Sequence, residues 1–490
     1  MPRLPMRYAI VGGTALLSAC LLSACTLGPD YRAPQSQALG VPPAYTQAAS
    51  SAAPGDLSSW WRQLDDPLLT ELIARATTDN LDIAVSQARL RQARESLIQA
   101  QGGQLPSLNG SAGAGRSATW APTSSTVIGG APIVTGGNTG LSQFSIGLDA
   151  TWQADIFGGL RRSVEAARAS SDAALFNLAG VRTSVAGEVA TNYIQARLAQ
   201  ARLAIANDTL KNQDDNLQIA GWRVQAGLVP STDAEQARAQ RAQTAASIPL
   251  LQNSFTSAVN RIGVLTGQAP GSLRQTLEKI GPVPHGPDAV AVGIPADTLR
   301  QRPDVRAAER SLAAASAQIG VSQAQLYPAL SFSGNLTTSS SQIGDIGDMI
   351  NGQLAANVAQ KIFDGGRLRS QLRSARAGAD SAFATYKSTV LGGLEDVENA
   401  IQSLDSAKAR QASLAIALDA SNNAAAQARN LYRVGRTDFL TLLQSEQSLL
   451  QARDSLASAQ ADQALALVRL YLALGGGWQP ASPETIGSTS

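Results

Sequence analysis

The sequence predicts an α+β membrane protein: an internally duplicated chain with four membrane-crossing β-strands, continued by long helices that pack as coiled coils. Three observations carry this prediction. The chain is written twice; stretches in each copy alternate strictly between apolar and polar residues; and each copy holds a proline-free helical run of about 67 residues. With 16% charged and only 4% aromatic residues, an aromatic-filled soluble core is hard to assemble, whereas small side chains suit closely packed helices. The formal charge of +2, with no basic run interleaved with aromatics, leaves no footprint for nucleic acid.

The chain opens with Arg3 and Arg7 ahead of an apolar run that ends in small residues, the pattern of a signal peptide over 1–24. Leu-Ser-Ala-Cys occurs at 17–20 and at 22–25, and each copy resembles a bacterial lipobox. Cleavage before Cys25 fits best, because Cys25-Thr26-Leu27-Gly28-Pro29-Asp30-Tyr31 follows the hydrophobic stretch directly. An N-acyl diacylglyceride on Cys25 anchors a protein to a membrane without spanning it. No other cofactor is expected. Cys20 and Cys25 are the only cysteines, so the rest of the chain holds neither a disulfide nor a cysteine metal site.

The duplication is read from glycines and prolines. Leu105-Pro106-Ser107-Leu108 recurs 222 residues later as Tyr327-Pro328-Ala329-Leu330, and Asp82 and Leu90 meet Asp304 and Leu312 at the same offset. Beyond the strands Ile156-Phe157-Gly158-Gly159 answers Ile362-Phe363-Asp364-Gly365-Gly366, and the offset then settles at 208: Ala167-Arg168-Ala169 answers Ala375-Arg376-Ala377, Gly227 answers Gly435, and Gly267 answers Gly475. Each half then reads helix, strand, loop, strand, long helix, turn, helix. The first half places a helix over 68–101, a strand over 106–118, a loop over 119–141 and a strand over 142–155. The second places strands over 328–338 and 352–363. Long helices over 160–226 and 367–434 would each reach roughly 100 Å at 1.5 Å per residue, and such rods must pack against other helices.

The strands decide the setting. In Ser142–Asp155, Phe144, Ile146, Leu148 and Trp152 share one face, Gln143, Ser145, Asp149 and Thr151 the other; Phe332 belongs to the apolar face of the second half. An apolar face against lipid and a polar face against water account for both. Sheet edges are not tolerated in lipid, and four strands are too few to close a barrel. Copies must therefore combine, two giving eight strands or three giving twelve, and the small polar inward positions suit a wet lumen.

At this point the sequence closely resembles the outer membrane factor family, the TolC-like exit ducts of tripartite efflux systems, and within it the NodT-type lipoprotein branch. The resemblance covers nearly all of the mature chain. It implies a homotrimer with a twelve-stranded barrel in the outer membrane of a Gram-negative bacterium, continued by a periplasmic helical tunnel. It implies a periplasmic membrane-fusion (adaptor) protein and, indirectly, an inner-membrane RND-type transporter as partners, with drugs or other toxic small molecules as cargo. The divisions become signal peptide 1–24, lipid-anchored equatorial segment 25–65, first repeat 66–270, linker 271–295, second repeat 296–478 and tail 479–490. The adaptor-docking tips match at Gly227, Leu228 and Ser231, and at Val434, Gly435, Arg436 and Thr437. The gate matches at Thr232, Asp233 and Tyr432, with Arg436 one place before the family's arginine, which Thr437 replaces. The family's acidic ring falls at Thr441 and Gln444, and neither is acidic.

An enzyme is not expected. The single histidine, His285, lies in a Gly/Pro-rich linker, and the usual nucleophile–base pairs lack their parts. Gly475-Gly476-Gly477 follows a helix and reads as a stop. An adaptor would carry one hairpin without duplicated strand pairs, and a lipid-anchored coiled-coil scaffold would have no barrel. A type I protein-secretion duct shares the architecture and is the nearest alternative.

Overall fold

The computed structural model describes residues 26–46, 56–119, 124–128, 131–135, 139–287 and 290–479. The expected signal peptide over 1–24, Cys25 and the tail from residue 480 lie outside them. The first repeat runs α1 (Pro67–Asp79), α2 (Leu81–Gly102), β1 (Ser107–Thr119), β2 (Ser124–Ile128), β3 (Ala131–Thr135), β4 (Thr139–Ala154), α3 (Gly159–Gln225) and α4 (Ser231–Leu265). A short α5 (Arg274–Glu278) follows. The second repeat runs α6 (Pro295–Gln301), α7 (Pro303–Ala324), β5 (Ala329–Ser340), β6 (Ile350–Ala359), α8 (Arg367–Arg433) and α9 (Phe439–Ala473). The long helices α3 and α8 have 67 residues each, α4 and α9 have 35 each, and every boundary of the second pair lies 208 residues after its counterpart.

Three details differ from the sequence reading. The helix expected over 68–101 is two helices, broken at Asn80. This buried side chain caps α2 by accepting from Asp82 N (2.9 Å) and Ile83 N (3.1 Å), and its Nδ2 donates to Leu265 O at 2.9 Å. The second repeat breaks at the matching Arg302, whose Nη1 donates to Ala473 O at 3.1 Å, the residue that matches Leu265. The loop expected over 119–141 contains the β2–β3 pair, because the β-branched runs Thr126-Val127-Ile128 and Ile133-Val134 favour extended backbone. The strand expected over 352–363 ends at Ala359, opposite Ala329, since Pro328 before it has no N–H with which to extend the ladder. Likewise β4 stops at Ala154, and Asp155 turns to α3, accepting from Leu160 N (3.0 Å) and Arg161 N (2.8 Å).

The chain divides into two compact units. One consists of the described part of Met1–Arg32 with Gln92–Ser171 and Arg310–Phe383; the other consists of Ala33–Arg91, Asp172–Glu309 and the described part of Ala384–Ser490. The first unit is built on a four-stranded antiparallel sheet in the order β1-β4-β5-β6, so that β1 and β6 are its edges. The second is helical. Its main core packs Trp60, Leu69, Ile73, Val189, Tyr193, Ile262, Leu467 and Tyr471 together, with Trp60 stacked on Tyr471 at 5.5 Å. Burial pushes the Tyr471 hydroxyl up to about 12. No described helix is long and apolar enough to cross a membrane.

Candidate functional site

The sheet of the first unit sorts its side chains by register. Leu148 pairs with Gly110 and Leu336, Trp152 with Phe332, and Leu336 with Gly352, which keeps the apolar residues on one face. The other face carries Asn109, Asp149, Asn335 and Gln353 in one cross-strand row, with Ser107, Thr151 and Ser333 in the next. The apolar residues are exposed: Ile146, Leu148, Trp152, Phe332, Leu336, Leu354 and Val358 all stand open, and Phe144 is half-buried. Trp152 stacks on Phe332 at 5.7 Å, and its indole N–H donates to Gln104 O at 2.9 Å. A sheet with one largely exposed apolar face, one polar face and, among the described residues, two free edges has the chemistry of a barrel wall segment.

At the base of this sheet the segment after Cys25 lies in a fitted slot. Arg162, in the first turn of α3, is buried and donates to Leu27 O (3.1 Å), Gly28 O (3.2 Å), Asp30 Oδ1 (2.7 Å) and Glu165 Oε2 (2.7 Å). Burial works against its charge, but the Asp30 and Glu165 carboxylates outweigh it and raise the guanidinium's pKa. Leu27 N donates to Phe157 O at 3.1 Å. Gly158 has φ +75°, and a Cβ there would meet Thr26 at 2.4 Å; a Cβ on Gly28 would meet the Gly320 backbone at 2.5 Å. The slot therefore requires its glycines. Sequence reasoning did not single out Arg162; the signal was an arginine just after Gly158-Gly159 where the second repeat has Ser370.

The second unit holds the helix tips. Gly227 (φ +70°) and Gly435 (φ +73°) both close their long helices by the same pair of bonds. Leu228 N donates to Arg223 O and Gly227 N to Val224 O; Arg436 N donates to Leu431 O and Gly435 N to Tyr432 O. Leu228 and Val434 stand exposed beside Ser231 and Thr232, which are also exposed. Beneath the turns, Tyr432, Phe439, Leu442, Ala220, Ala237 and Ala428 form a small core.

A cleft of about 490 Å³ opens here, lined among others by Arg223, Asp233, Tyr432, Thr437, Thr441 and Gln444. The structure thus brings the expected gate and ring positions together, except Thr232 and Arg436, which are not among its lining residues. Tyr432 is 2% exposed, and its hydroxyl has no hydrogen-bond partner, so it is not bonded to Asp233 within the chain. Burial raises its pKa, while Arg223 pulls the other way. The cation at this site is Arg223, which the sequence reading missed: its guanidinium lies 4.6 Å from the Tyr432 ring and Nη1 donates to Tyr432 O at 3.2 Å. The ring positions Thr441 and Gln444 carry no charge, and nearby Asp438 is engaged as the cap of α9, accepting from Thr441 N at 2.7 Å.

Further along the helices, Glu446 is buried and accepts from Arg429 Nε (2.8 Å) and Asn216 Nδ2 (2.6 Å), tying α3, α8 and α9 together. Its signal in the sequence was a carboxylate on the buried stripe Leu442, Glu446, Leu449. No cluster of metal-ligating side chains occurs among the described residues.

The sequence model of a family described as "Outer membrane efflux protein" matches residues 72–268 and 294–476. Nodulation protein T of Rhizobium leguminosarum bv. viciae is 31% identical over 461 residues, covering 94% of this chain and 92% of that protein. The pyoverdine export outer membrane protein OpmQ of Pseudomonas aeruginosa is 29% identical over 95% of this chain and 97% of its own length. Among solved structures, the outer-membrane channel OprN superposes with a TM-score of 0.82 at 36% identity, covering 93% of this chain and all (100%) of that one.

Proposed function

The chain belongs to the outer membrane efflux protein family and is an efflux channel of the outer membrane; on that premise we propose that it works as the trimeric exit duct of a tripartite system. In this reading three copies close a twelve-stranded barrel, an acyl anchor on Cys25 sits beside it, and the helix tips meet a periplasmic adaptor. An RND-type transporter of the inner membrane drives small molecules, such as drugs or other toxic compounds, toward those tips. The duct contributes passage, not catalysis.

One observation carries the reading: the four-stranded sheet exposes most of its apolar face, and among the described residues the outer edges of β1 and β6 have no partner strand. An isolated sheet of this kind would be an aggregation site in water and an unsatisfied edge in lipid. The mass of the detergent-extracted protein, with detergent and lipid subtracted, is expected to equal three chains. A monomer that survives mild extraction would overturn the barrel.

The tip cleft supports a gate at Tyr432, Asp233 and Arg223. A Tyr432→Phe, Asp233→Ala double variant is expected to raise planar-bilayer conductance, and unchanged conductance in a folded trimer would remove these residues from the gate. At the docking tips Gly435→Trp is expected to abolish adaptor engagement while leaving the trimer intact; normal efflux by that variant would count against the assignment.

A further inference from the structure

The two repeats build a similar corner at the base of the sheet, but only the first of the two corners is partly covered. In the first repeat Ile156 and Phe157 follow β4 and are half-buried; Phe157 stacks on Tyr327 at 4.9 Å, and the backbone of Leu27 closes over it. In the second repeat the Ile-Phe pair recurs 206 residues on, two residues nearer its strand than the 208-residue offset of the strands and helices gives, as Ile362 and Phe363, which follow β6 and are 96% and 91% exposed. Tyr327 also has a counterpart, Leu105, which stands before β1 and is 67% exposed. A covered corner joins β4 to β5 inside the chain. The uncovered halves lie beside the two free edges, β6 and β1.

We propose that the Ile362–Phe363 corner is the seat for the Leu105 corner of the next copy, and that the β6 edge receives that copy's β1 with Val358 opposite Ala112. The proposal rests on the barrel reading above and adds a contact and a register to it. The register follows from the repeat. Within the chain Ala150 pairs with Gly334. Moving Ala150 forward by the 208-residue offset gives Val358, and moving Gly334 back by the 222-residue offset gives Ala112. Continued past the strand ends, this register sets Phe363 opposite Ser107 and one diagonal step from Leu105, a spacing that an aromatic side chain can span.

Two features of the strand pairing support this register. The same offsets carry the β1–β4 pair Ser107↔Thr151 onto Ala329↔Ala359, which is the observed β5–β6 pair. The derived pairing also keeps faces matched. Val358, Ala356 and Leu354 of β6 meet Ala112, Ala114 and Arg116 of β1, while Asn357 and Gln353 on the polar face meet Gly113 and Ser117. A slip of one residue would turn apolar side chains into the polar face. Arg116 falls last in the apolar row, toward the far end of β1 from the Leu105 corner, where a long side chain can extend past the apolar band to water.

Paired antiparallel residues bring their Cα atoms to about 4.5–5.5 Å, within the span a disulfide bridges. In the full-length, detergent-extracted protein, oxidation of Val358→Cys combined with Ala112→Cys is expected to give covalent dimers and trimers. Val358→Cys combined with Arg116→Cys, four residues out of register, is expected to give none. An intact oligomer that links the second pair and not the first would overturn the register while leaving the barrel standing. Linkage confined within single chains would overturn it as well. A monomeric mass for the unlinked protein would remove the barrel reading and this proposal together.

The corner itself is tested by coupling. Phe363→Ser and Leu105→Ser should each lower the temperature at which the oligomer dissociates, and the double variant should fall well short of the sum. Full additivity would show that the two side chains do not meet.

Discussion

The two repeats share a backbone and differ in what has been attached to it. The long helices start and stop 208 residues apart, the tip glycines have φ +70° and +73°, and the strand registers superpose under one pair of offsets. Yet the first repeat's corner holds the chain's own N-terminal segment under Arg162, and the second repeat's corner is bare with Ser370 in that place. Duplication fixed the geometry of both, and only side chains and one extra segment separate them. Contacts that the first repeat makes within the chain thus become a template for contacts that the second repeat makes with another copy.

The comparison is broken most sharply at a matched pair of glycines. Gly158 and Gly366 both have left-handed backbones, at φ +75° and +85°, but a Cβ on Gly158 would press on Thr26 while one on Gly366 meets nothing within 4 Å. Gly366→Ala is expected to cost only the left-handed strain of about 1–2 kcal/mol. Gly158→Ala carries that strain and about 1–3 kcal/mol of overpacking besides. It is also expected to free residues 26–32, read as faster tryptic cleavage after Arg32. Equal losses of stability at the two sites would refute the idea that the slot is fitted to this segment.

Next in size is the arginine. Arg162→Ala removes four donated hydrogen bonds, and its loss is expected to destabilise the first unit by about 2–4 kcal/mol. Ser370→Ala should be silent in the same denaturation measurement. Arg162→Lys separates charge from shape: a lysine keeps the charge facing Asp30 and Glu165 but cannot fork between two carbonyls. Recovery of less than half the lost stability by Arg162→Lys is the expected result, and full recovery would make the site a simple ion pair.

These sites show what was legible in the sequence and what was not. Period and punctuation carried the strands, the long helices and both turns, because alternation, absence of proline and a paired glycine are local facts about the chain. Asn80 was missed because an asparagine inside an apolar period looks like an ordinary surface residue until Leu265 O, far along the chain, is seen to accept from it. Arg223 was missed for the same reason: it lies in α3 and acts on Tyr432 in α8. The resemblance implied Tyr432 and Asp233 as gate positions without Arg223, and the folded chain leaves the tyrosine hydroxyl unbonded and puts that arginine over its ring. Pairings across hairpins are three-dimensional facts, and a repeat helps only where both halves kept the same residue.

The smallest expected difference lies where each returning helix begins. In the second repeat the Asp438 carboxylate caps α9, and the Thr441 backbone N–H bonded to it holds its pKa below the usual carboxylate value. In the first repeat the matching position is Pro230, which offers α4 no side-chain cap. A carboxylate whose folded pKa is depressed stabilises the folded state fully above its unfolded pKa, and that contribution is lost as pH falls through the folded value. Acidification through that range is therefore expected to loosen the first turn of α9 and leave the first turn of α4 unchanged, read as amide-exchange protection at Leu442 against that at Ala234. Asp438→Asn keeps a capping oxygen without a titrating group, so it should retain the protection and lose its pH dependence. Asp438→Ala should lose the protection at every pH. If α4 loosened in step with α9, the change would belong to the whole tip, and the cap would have no separate part in it.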